Sequence, residues 1–224
     1  MDKQKQAWLA EFIGTFTLIF IGAGAICMNQ LTGGQVGLLG VAIAHGLAIA
    51  VMVSATAHIS GGKLNPAVTL GLVAGGKMRF KDAVPEIGSQ LAGATLAALF
   101  LKMIFPEGVV SAAHLGTPGL GAGVTAGTGI FVEAILTFLL VFTVYGTAVD
   151  PKGSFKAIAG FGIGSVIAFD ILAGGALTGA SMNPARTFGP ALISGFWDNH
   201  IVYWIGPLLG GGLAGWVYGK LLMK

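Results

Sequence analysis

The sequence predicts an all-α membrane protein: six transmembrane helices and two half-helices, arranged as an inverted repeat. Three observations point there. Of 224 residues, 54% are hydrophobic and only 9% are charged, whereas a soluble domain carries about 25% charged residues. Six apolar stretches are long enough to cross a bilayer. A six-residue phrase, LNPAVT at 64–69, returns as MNPART at 182–187.

A bilayer core about 30 Å thick takes about 20 helical residues. The stretches that qualify run approximately over residues 7–28, 36–57, 83–105, 127–149, 157–177 and 201–222. The start, MDKQKQAWLAEF, has no cleavable signal pattern, so the first stretch reads as a retained span. The 38 glycines follow no Gly-X-Y period and suit close helix contact in lipid. Two further apolar pieces, 66–76 and 184–195, are too short to span, because ten helical residues rise only about 15 Å. Each opens with Asn-Pro. Asn is a strong N-cap and Pro suits the first helical turn, so Asn65-Pro66-Ala67 and Asn183-Pro184-Ala185 each read as the start of a half-helix. In this six-span order Lys3, Lys5, Lys77, Arg79, Lys81, Lys152, Lys156, Lys220 and Lys224 fall on one side with both termini. The positive-inside rule makes that side cytoplasmic. Lys63, Lys102 and Arg186 lie elsewhere.

The phrase belongs to a longer repeat. AEFIGTFTLIF at 10–20 is similar to VEAILTFLLVF at 132–142, and ISGGKLNPAVT at 59–69 to LTGASMNPART at 177–187. Positions 65 and 183 lie 118 apart, as do Gly46 and Gly164. The expectation is one domain over 1–224 with internal repeats at approximately 7–105 and 127–222. Each repeat holds three spans. Three is odd, so the second must be inverted, which brings the broken helices together near the midplane.

Two half-helices meeting N-terminus to N-terminus place about one positive charge at the centre, half from each macrodipole. Each Asn oxygen caps its own helix, leaving the amide NH₂ free to donate into a pore. A water accepting from Asn65 and Asn183 would point its hydrogens outward and break a proton-conducting file. The plainer reading makes the two asparagines caps only. Arg186 follows the second box, and an intramembrane Arg characteristically lines a water-filled path; tying loops together is its alternative. Glu11 and Glu133, early in equivalent spans, read as structural buried acids, with a proton relay as the competing reading.

These motifs resemble the aquaporin (major intrinsic protein) family over essentially the full chain: two Asn-Pro-Ala boxes, the repeated Ala/Val-Glu starts and the Arg after the second box. VYGTAVDPKGS, DILAGGALTGASMNPARTFGPA and VYWIGPLLGGGLAGWVYG look like plant tonoplast intrinsic proteins. The resemblance implies a homotetramer with one pore per subunit. It also implies that Glu11 and Glu133 hydrogen-bond the loop backbone near the boxes. It puts an aromatic/arginine selectivity filter at His45, Ile171, Ala180 and Arg186. Strict water channels of the family usually carry Phe and His at the first two positions, and glycerol facilitators Trp, Gly and Phe before the Arg. The set here is similar to tonoplast-type filters, and Ile171 with Ala180 implies a wider opening. Thr187, Ala191, Tyr203 and Trp204 stand where glycerol facilitators have their own pattern and look aquaporin-like. His114, in the linker 106–127, has two readings: an extension of the filter, as in some tonoplast channels, or a solvated loop histidine. Asp170 stands where tonoplast channels tend to have Asn. Pairing with His45, pairing with a neighbouring subunit and simple protonation all stay open.

The expected function is a passive channel for water, with ammonia and other small neutral solutes, that excludes protons and ions. A glycerol/urea facilitator is the alternative within the class. A proton-coupled secondary transporter also uses broken helices, but it needs an ionisable relay where this chain has Asn, Pro and Ala. A structural junction protein on the same fold gains nothing from the short loop at 29–36. No enzyme is expected, because His45, His58, His114, His200 and Cys27 are scattered and match no nucleophile spacing. No cofactor, metal or nucleic-acid partner is expected, and a single cysteine allows no internal disulfide. The protein is expected to be multi-pass with both termini cytoplasmic, in the plasma membrane of a microbe or a vacuolar-type membrane of a plant.

Overall fold

The computed structural model describes residues 1–153 and 156–223; Lys224 and the side chain of Lys156, both used to orient the chain, lie outside the described residues. Helix α1 (Lys3–Leu31) starts where the Asp2 carboxylate accepts from Lys5 N at 2.9 Å, an ordinary N-cap. Helix α2 (Gly37–Ser60) stops at Gly61, whose φ of 93° lies in the left-handed region that favours glycine. The first half-helix is α3 (Pro66–Ala74), followed by α4 (Phe80–Ile104). In the second series α6 (Ala126–Val144) runs into a π-helical turn, Tyr145–Val149. It is followed by α7 (Ala159–Thr178), the half-helix α8 (Pro184–Ser194) and α9 (Val202–Trp216), which continues as π-helical Val217–Leu222.

Five of these helices, α1, α2, α4, α6 with its π turn and α7, are long and apolar enough to cross a membrane. The sixth expected span is α9 with its π-helical continuation. Leu39, Val51, Met103, Phe131, Phe161 and Leu209 are each more than half exposed, an apolar exterior that lipid rather than water covers. The linker 106–127 carries an element that periodicity did not announce: a short helix α5 (Glu107–Ala113) and a 3-10 turn, His114–Gly116. Pro106 precedes α5 and Glu107 sits in its first turn, where a negative charge suits the helix dipole.

Packing exchanges the half-helices between the two series. Helix α1 packs on α2 and α4, and α6 on α7 and α9; α4 then packs on α8, while α9 packs on α3. Helices α2 and α7 lie against each other. They touch at Gly46 and Gly164, where a Cβ on either would collide with the other's carbonyl oxygen. The far end of α3 lies by Tyr145, whose hydroxyl donates to Gly71 O at 3.2 Å. The far end of α8 lies by the linker: Thr117 Oγ1 and Ser194 Oγ are 3.3 Å apart. The two half-helices therefore run outward toward opposite ends of the molecule.

Candidate functional site

The N-termini of α3 and α8 meet in the interior. Asn65 caps α3, its Oδ1 accepting from Ala67 N at 2.8 Å. Asn183 caps α8, accepting from Ala185 N at 3.0 Å and Arg186 N at 3.3 Å. Pro66, Ala67, Pro184 and Ala185 are all buried. The amide groups are not wholly free, which corrects the sequence reading. Asn65 Nδ2 donates to Met182 O and Asn183 Nδ2 donates to Leu64 O, each at 2.9 Å. These two bonds tie each box to the loop before the other. An amide nitrogen has two hydrogens, so each Asn has one beyond the cross-tie. Both asparagines line a cavity of about 180 Å³, together with Ile49, Val53, Lys63 and Leu140. The cavity lies on the side of the chain termini.

The loops before the boxes share one backbone device. Gly61 and Gly179 have φ of 93° and 80°, Gly62 and Ala180 60° and 43°, Leu64 and Met182 52° and 53°. Left-handed backbone at a non-Gly residue costs about 1–3 kcal/mol and needs surroundings that hold it. Two buried carboxylates do the holding. Glu11 accepts from Lys63 N at 3.0 Å and Leu64 N at 2.7 Å. Glu133 accepts from Ser181 N at 2.9 Å and Met182 N at 2.7 Å. Ser60 and Thr178 hydroxyls donate to the same carboxylates, each at 2.7 Å. Gln90, on α4, adds Nε2 bonds to Glu11 at 2.7 Å and Thr69 Oγ1 at 3.0 Å.

The four filter candidates, His45, Ile171, Ala180 and Arg186, are each no more than 3% exposed. They come from α2, α7, the α7–α8 link and α8. His45 Nδ1 lies 2.9 Å from Val41 O. A carbonyl only accepts, so Nδ1 carries the proton, and Nε2 of the neutral ring is an acceptor. His45 Nε2 and Arg186 Nη1, an acceptor and a donor, are buried with no hydrogen-bond partner among the described residues.

Three other residues are resolved differently. His114 stacks on Phe196 at 4.1 Å with the rings 9° from parallel, so it is not a freely solvated loop histidine. Asp170 is fully buried with neither carboxylate oxygen hydrogen-bonded among the described residues, which removes the pairing with His45. Lys63 was noticed in the sequence only as a misplaced charge. Its ammonium donates to Ser60 O and lies 2.9 Å from Glu86 Oε2 and 3.4 Å from Glu11 Oε1. Its place two residues before Asn65 was the signal that could have marked it.

The chain matches the family described as major intrinsic protein over residues 2–218. It is 50% identical to a protein named Aquaporin TIP4-4 from Zea mays, over 97% of this chain and 87% of that one. It is 46% identical to a probable aquaporin, TIP-type RB7-18C, from Nicotiana tabacum, over 97% and 88%. Its fold superposes on the X-ray structure of the aquaglyceroporin from Plasmodium falciparum with a TM-score of 0.86, at 24% identity, covering 98% of this chain and 97% of that one.

Proposed function

The chain belongs to the major intrinsic protein (aquaporin) family, and we propose that its pore passes ammonia and other small neutral solutes alongside water while refusing protons and ions. It is an integral membrane protein and a water channel, not an enzyme. The supporting observation is the pair of cross-tied asparagine caps, each with one amide hydrogen left over at the cavity. A water at the boxes accepts from Asn65 and Asn183 with its oxygen. Its hydrogens then point away along the pore, and no continuous proton-donating file forms. The two helix N-termini add about one positive charge there, which opposes protons and metal cations where desolvation is already costly.

The filter supports the ammonia reading. A neutral guest with a lone pair and an N–H or O–H satisfies both atoms, accepting from Arg186 Nη1 and donating to His45 Nε2. Water and ammonia both qualify. Ammonium has no lone pair for Arg186 and carries the wrong charge. Ile171 offers no third polar contact tuned to water, and Ala180 is small. His114, beside Phe196, is the proposed outer extension of this path, and Asp170 is proposed to be held protonated. Glu11 and Glu133 serve as loop anchors. The proposed unit is one channel domain over 1–224, with repeats at approximately 7–105 and 127–222, assembled as a homotetramer. Both termini face the cytoplasm, and the membrane is vacuolar in a plant or the plasma membrane in a microbe. Stopped-flow light scattering on proteoliposomes tests the substrate range. Water and ammonia should move faster than through bare lipid, and glycerol more slowly than either. Glycerol and urea fluxes matching water, or no ammonia flux above bare lipid, would overturn this filter assignment.

A further inference from the structure

We propose that Lys63 is a second ion-excluding residue of this pore: its ammonium cancels the carboxylates of Glu11 and Glu86 beside the mouth on the side of the chain termini. The proposal rests on the pore reading above. Lys63 is 8% exposed, and it lines the same cavity as Asn65 and Asn183. The Nζ lies between two acids, 2.9 Å from Glu86 Oε2 and 3.4 Å from Glu11 Oε1, and donates to Ser60 O. Glu86 comes from α4, Glu11 from α1 and Lys63 from the loop before the first box, so three elements converge on one charge cluster.

The ammonium adds one tie to the loop, to Ser60 O, where Glu11 makes three. Glu11 already accepts from Ser60 Oγ, Lys63 N, Leu64 N and Gln90 Nε2. At the repeat-equivalent position stands Ser181, and Glu133 holds its loop through Thr178 and two backbone amides without a lysine. The first repeat therefore has a cation that its structural counterpart does without. What distinguishes the first repeat is the second acid, Glu86. Neither acid lines the cavity itself; Lys63 stands between them and it, so without the ammonium their negative charge would act on the cavity unopposed and draw cations toward the boxes. Asp82, one turn before Glu86, is already committed to Arg79 at 2.6 Å. Arg186 has no counterpart here, because its equivalent position is Val68. Each repeat thus has one cation at its box, before the Asn in one and after it in the other.

Proteoliposomes carrying the parent protein, Lys63→Met, Lys63→Arg and the double variant Lys63→Met/Glu86→Gln test this. Osmotic water permeability and ammonium and sodium conductance are read on the same preparations. The ratio of cation conductance to water permeability should rise about tenfold or more in Lys63→Met, return toward the parent value in the double variant, and stay at the parent value in Lys63→Arg. A cation-tight Lys63→Met with normal parent water flux overturns the proposal and leaves the pore reading standing. So does a leak that Glu86→Gln does not reverse. If Lys63→Met does not insert, Lys63→Gln keeps a donor for Ser60 and carries the same expectation. Failure of both to insert while Lys63→Arg inserts would make the ammonium a folding device and overturn the proposal. Parent water flux at the level of bare lipid would overturn the pore reading itself.

Discussion

The loop before the first box and the loop before the second bend the same way and are charged differently. In both, a carboxylate one helix away accepts two consecutive amides and a hydroxyl, and residues in the left-handed region turn the chain into a half-helix. The first carboxylate, Glu11, also receives Gln90 and lies beside the Lys63 ammonium. The second, Glu133, has neutral donors only. In the first repeat Thr69 Oγ1 donates to Asn65 O at 2.9 Å and receives Gln90; in the second, Ser181 Oγ donates to Asn183 O at 3.0 Å and pairs with Thr187 Oγ1 at 2.6 Å. The geometry of the box is thus fixed by the carboxylate and the turn. The surrounding charge can be placed independently, as Lys63 on one side and Arg186 on the other.

Removing the anchors gives the largest expected effect. Glu11→Ala takes the acceptor from two amides, Ser60 and Gln90, and each buried polar group left unpaired costs about 1–3 kcal/mol; the Lys63 ammonium keeps Glu86 at 2.9 Å and Ser60 O. Glu133→Ala strands two amides and Thr178, one donor fewer, and should cost less. Cys27 is fully buried, so the temperature at which a thiol-reactive dye labels it reports unfolding. Equal midpoints for the two variants would erase the distinction between the loops.

Arg186→Val comes next. It should admit cations before it harms water flow, raising cation conductance relative to water permeability by about tenfold. Reduced water flux with unchanged ion exclusion would make Arg186 a structural residue. Mercury sharpens the same contrast. Block needs a reachable thiol near the narrow path, and Cys27 is sealed in the core around α1, so water flux through the parent should be insensitive to mercuric chloride. Ala180→Cys should confer block, because Ala180 lies three residues before Asn183 among the filter candidates. Strong block of the parent would misplace Cys27. Ile171→His should lower ammonia flux more than water flux, by adding a polar contact and narrowing the filter; equal losses would count against the filter reading.

Much of this was legible in the chain. Asn65 and Asn183 mark the half-helix starts because Asn capping and Pro at the first turn are local rules. The span order follows from hydropathy, although the chain is helical from Lys3 rather than residue 7, because charged residues on the aqueous side extend a helix without adding to hydropathy. Helix α5 escaped because seven residues without a periodic apolar face leave no pattern. The cross-ties from Asn65 to Met182 O and from Asn183 to Leu64 O, and the His45 tautomer set by Val41 O, depend on where carbonyls end up in space. Lys63 was visible but unread, since its meaning lies in Glu86, 23 positions later on another helix.

The smallest expected effect is at Asp170. Its carboxylate has no hydrogen-bond partner among the described residues, so Asp170→Asn should move the unfolding midpoint less than Glu133→Gln, within about 1 kcal/mol. A larger loss would reveal a partner that forms only in the assembled protein.

The central claim is that water crosses the paired boxes in a file that carries no protons. Proteoliposomes loaded with a pH-sensitive dye test it when osmotic shrinkage and the decay of an imposed pH gradient are read at several protein densities. Shrinkage should accelerate in proportion to channel density while the gradient decays at the rate of bare lipid. A gradient that collapses in step with channel density would contradict the account.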